Sequence, residues 1–236
     1  MTSHEPAASA AQRPSSKKRK ALPLWQETIL LVVIALVLAL VVKTFLVQAF
    51  WIPSGSMENT LQVDDRILVQ KVSYWTGEPE RGDVVVFDDP GDWLGATAEQ
   101  ELGPLQQVLS VFGLYPAGGH LVKRVIGVGG DHVVCCDAEG RLEINGTSVD
   151  EPYLKDPNAD ASSQRFDVRV PEGRLWLMGD NRDNSADSRA HLGSPGGGFV
   201  NVDAVLGKSW VTVWPFDRMG SGGSDNAPFA AVPDPD

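Results

Sequence analysis

The sequence predicts a mainly β protein: a single N-terminal transmembrane helix followed by a β-rich domain. Three observations predict it. Residues 28–42, "TILLVVIALVLALVV", run without a charge. Beyond them, short runs rich in β-branched residues alternate with Gly, Pro and Asp. Only residues 97–115 interrupt that pattern, with apolar residues at helical spacing.

Residues 1–25 are rich in Ser, Ala, Pro and Lys and read as a disordered, basic cytoplasmic tail. They carry Arg13, Lys17, Lys18, Arg19 and Lys20 against Glu5, a charge of +4. The net charge of the whole chain is −11, so the remainder stands at −15. An acidic body excludes nucleic acid as a partner, because phosphate neutralisation needs a basic face. The basic cluster, lying just before the apolar run, reads instead as an orientation signal.

The uncharged run covers only about 22 Å as a helix, short of a hydrocarbon core of roughly 30 Å. Apolar character resumes after Lys43 in "TFLVQAF", which extends the expected span to residues 26–49, with Lys43 snorkelling to the interface. A cleaved signal peptide is the alternative, since Val47-Gln48-Ala49 resembles a cleavage site. Its apolar core would then sit at the upper limit of length and be followed by Lys and Phe, so an anchor in the lipid bilayer is the expectation. Lys17–Lys20 place the N-terminus in the cytoplasm and everything beyond residue 50 outside.

Residues 50–217 form the expected extracytoplasmic domain. Its strand-like runs are 66–72, 83–87, 120–128, 131–136, 141–146, 165–170, 174–179 and 205–215, a spacing that suits a barrel or sandwich. In 97–115, Leu105, Val108, Leu109 and Phe112 repeat at helical spacing behind Pro104. That helix is expected to pack on its own domain, because its polar face lacks the Lys and Arg of a membrane-surface helix. Residues 218–236 turn to Gly, Ser, Asp, Pro and Ala and read as a disordered acidic tail. Cys135 and Cys136 are adjacent. Adjacent cysteines bridge only through a tight eight-membered ring, so two buried thiols are expected.

The chemistry centres on "FWIPSGSMENTL", residues 50–61, where Ser54 and Ser56 flank Gly55 just after the apolar segment. A serine nucleophile needs a base. His4 lies on the cytoplasmic side, His120 and His132 open strand-like runs, and His191 alone follows a polar loop as a candidate partner. No G-x-S-x-G elbow is present. No His/Cys cluster has metal-ligand spacing, and neither "GVGGD" nor "GKS" completes a nucleotide-binding loop. No metal and no cofactor are therefore expected. Lys123 sits in "HLVKRVIGV", dense in aliphatic residues. Burial there disfavours the ammonium and yields an amine able to take a serine proton. Taken singly, each residue has an ordinary reading: a turn serine, and a strand lysine facing solvent.

Four longer motifs change that balance: "IPSGSMENTL" (52–61), "RGDVVVF" (81–87), "VKRVIGVGGD" (122–131) and "GDNRDNSADSR" (179–189). In order and spacing the chain resembles bacterial type I signal peptidases, from the apolar span to about Pro215. It is most similar to actinobacterial or other Gram-positive members with one N-terminal anchor. The resemblance implies a membrane-bound serine endopeptidase that removes signal peptides from exported preproteins. Ser56 would be the nucleophile and Lys123 the general base. The Ser56 N–H and the Ser54 hydroxyl would form the oxyanion hole. Ser185 would hydrogen-bond and orient the Lys123 amine, and Asp180, Asn181, Arg182, Asp187 and Arg189 would hold the supporting loop. Preprotein would add as a strand beside the Lys123 strand. Ile52, Pro53, Met57, Leu61, Leu121 and Val122 would line small pockets that select A-x-A-like sites. The enzyme would act as a monomer, with an apolar face on the bilayer.

Two positions depart from the family pattern. Asn59 and Gly129 stand where proline is frequent. Both alter turn stiffness and neither touches a proposed catalytic atom. Two rival readings remain: a catalytically inactive anchored scaffold or regulator of secretion, and a self-cleaving Ser-Lys protein.

Overall fold

The computed structural model describes residues 23–91, 93, 94, 103 and 119–235. The basic tail and almost all of the predicted 97–115 helix lie outside the described residues. The chain divides into two units, one ending at Ala39 and one beginning at Leu40.

Helix α1 (Leu24–Val41), which makes up the described part of the first unit and ends just beyond it, starts where Pro23 O accepts from Gln26 N, with Glu27 in the first turn. An acidic residue there suits the positive end of the helix dipole. Its 18 residues have a mean hydropathy of 2.4 and none is buried. By length and composition it is apolar enough to cross a membrane.

The expected helix does not continue to residue 49. A π-turn, Val42–Leu46, leads into strand β1 (Val47–Trp51), which pairs antiparallel with β2 (Arg66–Gln70). The reason lies in the partner: β2 supplies a ladder for Val47, Phe50 and Trp51, residues that favour a pleated surface. Hydropathy alone reads the two states alike.

The larger sheet adds β3 (Val84–Asp88), β4 (His120–Gly127), β9 (Arg174–Met178), β10 (Val200–Asn201) and β11 (Val205–Trp214). Its order is β1-β2-β11-β3-β4-β9-β10, with β12 (Gly220–Ser221) on β11. A second sheet has the order β7-β6-β5-β8, from Thr147–Val149, Leu142–Ile144, His132–Cys135 and Phe166–Arg169. All pairings among the described residues are antiparallel. Register shifts at Ser209/Val211 and Thr212/Trp214 let the long β11 serve β2, β3 and β12.

The run "DVVVF" is apolar on successive residues because β3 is buried on both faces. Val84 and Val86 pack with Ile52, Met57, Leu61, Ile67 and Val69, whereas Val85 and Phe87 pack with Val125, Leu175, Leu177 and Val200. A third cluster joins β5 to β8 to Ile126, Trp176 and Met178.

Two further expectations are corrected. Residues 218–235 are not a free tail. Phe229 and Val232 are buried in the third cluster, Ser224 Oγ accepts from Val84 N at 2.9 Å, and Pro233 O accepts from Arg81 Nη2 at 3.2 Å. A polar composition hid two apolar anchors. Cys135 and Cys136 are joined in a disulfide rather than left as thiols.

Candidate active site

Ser54 is exposed and extended (φ −132°, ψ 155°), and Gly55–Met57 then make one 3₁₀ turn in which Ser56 and Met57 are buried. The turn is pinned from both sides. Ile52 N donates to Asp65 O at 2.9 Å, and Met57 and Leu61 sink into the cluster with Ile52 and Val84. Thr60 N donates to Met57 O at 3.1 Å across a tight turn in which Asn59 has φ +86°. A proline ring, fixed near φ −65°, cannot take that conformation, whereas asparagine tolerates it. The departure from the family pattern at residue 59 therefore has a backbone counterpart.

Strand β4 supplies the amine beside Ser56. Lys123 pairs with Val85 across the sheet and is 3 % exposed. Its Nζ lies 2.6 Å from Ser56 Oγ, hydrogen-bonded to it. Burial pulls the amine down to about 8, against Asp187 and Asp180, which favour the ammonium; Arg189 adds to the lowering. Successive strand residues point to opposite faces, so Arg124 turns away from Ser56. Its guanidinium grips Asp180 through Nε at 2.8 Å and Nη2 at 2.7 Å, and lies 3.8 Å over the Tyr153 ring.

The loop 179–189 wraps the Gly55–Met57 turn. Asn181 N donates to Ser56 O at 3.0 Å and Asn181 Nδ2 to Gly55 O at 2.9 Å. Asp187 accepts from Arg189 through both oxygens (2.9 and 2.8 Å) and from Gly179 N at 3.0 Å. Burial alone would raise the Asp187 carboxyl, but Arg189 and these donors hold it below the usual range. Arg182 pairs with Glu151 and donates to Ala161 O at 2.7 Å, tying the loop to the second sheet.

The structure brings most of the sequence-selected residues together and separates some. Ser56, Lys123, Asp180, Asn181, Arg182, Asp187 and Arg189 converge. Ser185 is not bonded to Lys123: its buried hydroxyl lies beside Asp187, whose carboxylate it helps to hold low. The Lys123 amine donates to Ser56. Ile52, Met57, Leu61 and Val122 share one cluster, but Leu121 packs with Val85 and Phe87 on the other side of β4, and Pro53 is exposed. Strand alternation forbids neighbours 121 and 122 from lining one surface. His191 is engaged elsewhere, stacked on Trp93 at 4.4 Å, with Nδ1 donating to Asp187 O at 2.8 Å. No cluster of three His, Cys, Asp or Glu suited to a metal occurs among the described residues.

Sequence reasoning missed Arg124, Thr60, Glu151 and Tyr153. Thr60 Oγ1 donates to Asp180 Oδ2, and Tyr153 Oη donates to Glu151 at 2.6 Å. Arg124 carried a signal, a second cation inside an aliphatic strand beside Lys123. The other three had none, because each works through a partner distant in the chain.

The family profile described as "Signal peptidase, peptidase S26" matches residues 25–214. A probable signal peptidase I of Mycobacterium leprae is 42% identical, over 94% of this chain and 87% of its own length. The signal peptidase I of Mycobacterium tuberculosis H37Rv is 42% identical over 90% of this chain and 79% of its own. That of Bacillus licheniformis is 33% identical over 88% and 97%. A crystal structure of a signal peptidase I from Enterococcus faecalis V583 aligns with a TM-score of 0.38 and 27% identity, over 56% of this chain and 97% of that one. The family profile and the relatives in sequence define a serine endopeptidase. The chain belongs to the signal peptidase family, peptidase S26, among relatives named signal peptidase I.

Proposed function

We propose that the chain is a membrane-anchored peptidase that removes signal peptides from exported preproteins with a Ser56–Lys123 dyad. One observation carries this reading: a buried amine, pulled down to about 8 so that its neutral form becomes dominant only above that pH, at 2.6 Å from a buried serine hydroxyl. The neutral amine takes the Ser56 proton as Oγ attacks the scissile carbonyl. The tetrahedral oxyanion is received by the Ser56 N–H and the Ser54 hydroxyl. Lys123 then returns the proton to the leaving amine, the new N-terminus of the mature protein. Water, activated by the same amine, hydrolyses the acyl-enzyme.

Substrate would lie as an extended strand along β4. Ile52, Met57, Leu61 and Val122 pack together beside the Ser56 turn and would form the walls against which small side chains of an A-x-A-like site pack. Helix α1 would be the anchor, with the N-terminus cytoplasmic and the β domain outside. Trp51, Arg66 and Trp214 fall in one cross-strand row, and Trp51, Trp210, Trp214 and Phe216 are exposed. Amphipathic aromatic rings favour the headgroup region of a bilayer. The protein would act there as a monomer.

The test uses detergent-solubilised protein, a labelled preprotein with an A-x-A site, and Ser56→Ala and Lys123→Ala variants. Cleavage after the A-x-A site by the parent, read by sequencing the new N-terminus, and none by either variant is expected. Normal cleavage by either variant removes the dyad.

A further inference from the structure

The side chain of Glu58 follows the nucleophile turn and has no part in the reading above, yet the structure folds it back over Gly55. A Cβ placed on Gly55 would lie 2.7 Å from Glu58 Oε1. Glu58 Oε2 accepts from Asn181 Nδ2 at 3.1 Å and from Lys155 Nζ at 2.5 Å. Lys155 is itself located by its backbone N–H, which donates to Asp180 O at 3.1 Å. The next residue continues the tie: Asn59 Nδ2 donates to Tyr153 O at 3.1 Å and to Leu154 O at 3.2 Å.

These contacts converge on one peptide plane. In a trans peptide the C=O of Gly55 and the N–H of Ser56 point in opposite directions within a rigid unit. Whatever holds the Gly55 carbonyl therefore aims the Ser56 N–H. Asn181 Nδ2 holds that carbonyl at 2.9 Å with one of its two protons, and gives Glu58 the other. The Glu58 N–H also donates to that carbonyl, at 3.2 Å, so without the Glu58 carboxylate the plane keeps one backbone tie while the Asn181 side chain loses its second anchor and holds it less firmly.

We propose that Glu58, held by Lys155, is a positioning residue that sets the oxyanion-hole N–H of Ser56 by fixing the side chain of Asn181. The inference rests on the reading of Ser56 as nucleophile. It is separate from any contribution to stability: the Lys155 side chain is 51% exposed and that of Glu58 26%, and pairs so placed stabilise little.

The experiment measures kcat and KM on an A-x-A peptide for the full chain, together with affinity for a peptide boronate. The boronate forms a tetrahedral adduct on the serine hydroxyl and places an oxygen in the hole, so it reports the hole directly. Losing an oxyanion donor outright costs about 100-fold or more, so a misaimed one should cost roughly tenfold. Glu58→Ala is expected to lower kcat and boronate affinity by about that factor with KM within about twofold. Glu58→Gln keeps an acceptor for Asn181 and should stay within about threefold of the parent. The reversed pair, Glu58→Lys with Lys155→Glu, restores the attraction but not the acceptor, and should remain impaired. In an Asn181→Ala background, Glu58→Ala should add no further loss.

Parental kcat in Glu58→Ala overturns the proposal. So does rescue by the reversed pair but not by Gln, or additive losses with Asn181→Ala. A parent that fails to cleave while Ser56→Ala behaves identically would instead remove the peptidase reading, so the two failures are distinguishable.

Discussion

Lys123 Nζ and Ser56 Oγ stand 2.6 Å apart although 67 residues separate them in the chain. The turn bearing the serine is fixed by Met57 and Leu61 in one core cluster, and the strand bearing the amine by its ladders to β3 and β9. The contact is thus a product of two independently braced elements.

The first prediction concerns pH. The proposed dyad works through the neutral amine, so kcat/KM should fall about tenfold per pH unit below a value near 8 and level off above it. Stability follows the same group. Its folded value lies below the ordinary 10.5, so between about 8 and 10.5 the unfolded chain binds more protons and stability rises with pH. A flat rate from pH 9 to pH 5 would remove the lysine base.

Asp187 favours the ammonium form of Lys123. Asp187→Asn should therefore shift the acid limb of the residual activity to lower pH, even as the lost Arg189 pair reduces the rate. A pH–rate profile reads this directly; a limb moved to higher pH would contradict it.

Gly179→Ala should abolish most activity. A Cβ there would lie 2.5 Å from the Ser56 carbonyl oxygen and collide with Ser185 Oγ, so the nucleophile turn must shift. Displacing a reacting atom by about 1 Å costs on the order of 100-fold. Single-turnover kinetics on the purified variant would check it.

Arg124 and Asp180 form a fully buried ion pair behind the site. Removing one partner leaves an uncompensated charge, so Asp180→Ala should destabilise by about 3–5 kcal/mol. Urea unfolding measures this, with Asp183→Ala on the exposed side of the same loop as the control.

Phe229 packs in the cluster with Trp176 and Leu142. Phe229→Ala should cost about 3–5 kcal/mol by urea unfolding. An unchanged midpoint would return the C-terminal segment to the free tail that its composition suggested.

The fold class was legible because strand patterns and the apolar helix are local signals. The eight strand-like runs from 66–72 to 205–215 each became a strand, seven of them trimmed at the ends and 83–87 shifted by one residue to Val84–Asp88. The strands at 147–149, 200–201 and 220–221 were not legible, being two or three residues long and made only by their partners. The site was legible as motifs, with Ser56, Lys123 and the 179–189 loop named in advance. Its second layer, Glu58–Lys155 and Arg124–Asp180 with Thr60 and Tyr153, was not, because such pairs leave no spacing rule in a sequence.

By itself, then, the sequence determined which residues prefer strand, which stretch is apolar enough to cross a membrane, and which side chains are the candidates for chemistry. The tertiary structure decided where the helix gives way to β1, which face of β4 each of Leu121 to Arg124 serves, and that Lys123 rather than His191 meets the serine. The reason is physical: local preference sets a residue's conformation, while desolvation and hydrogen-bond partners exist only once remote segments have packed.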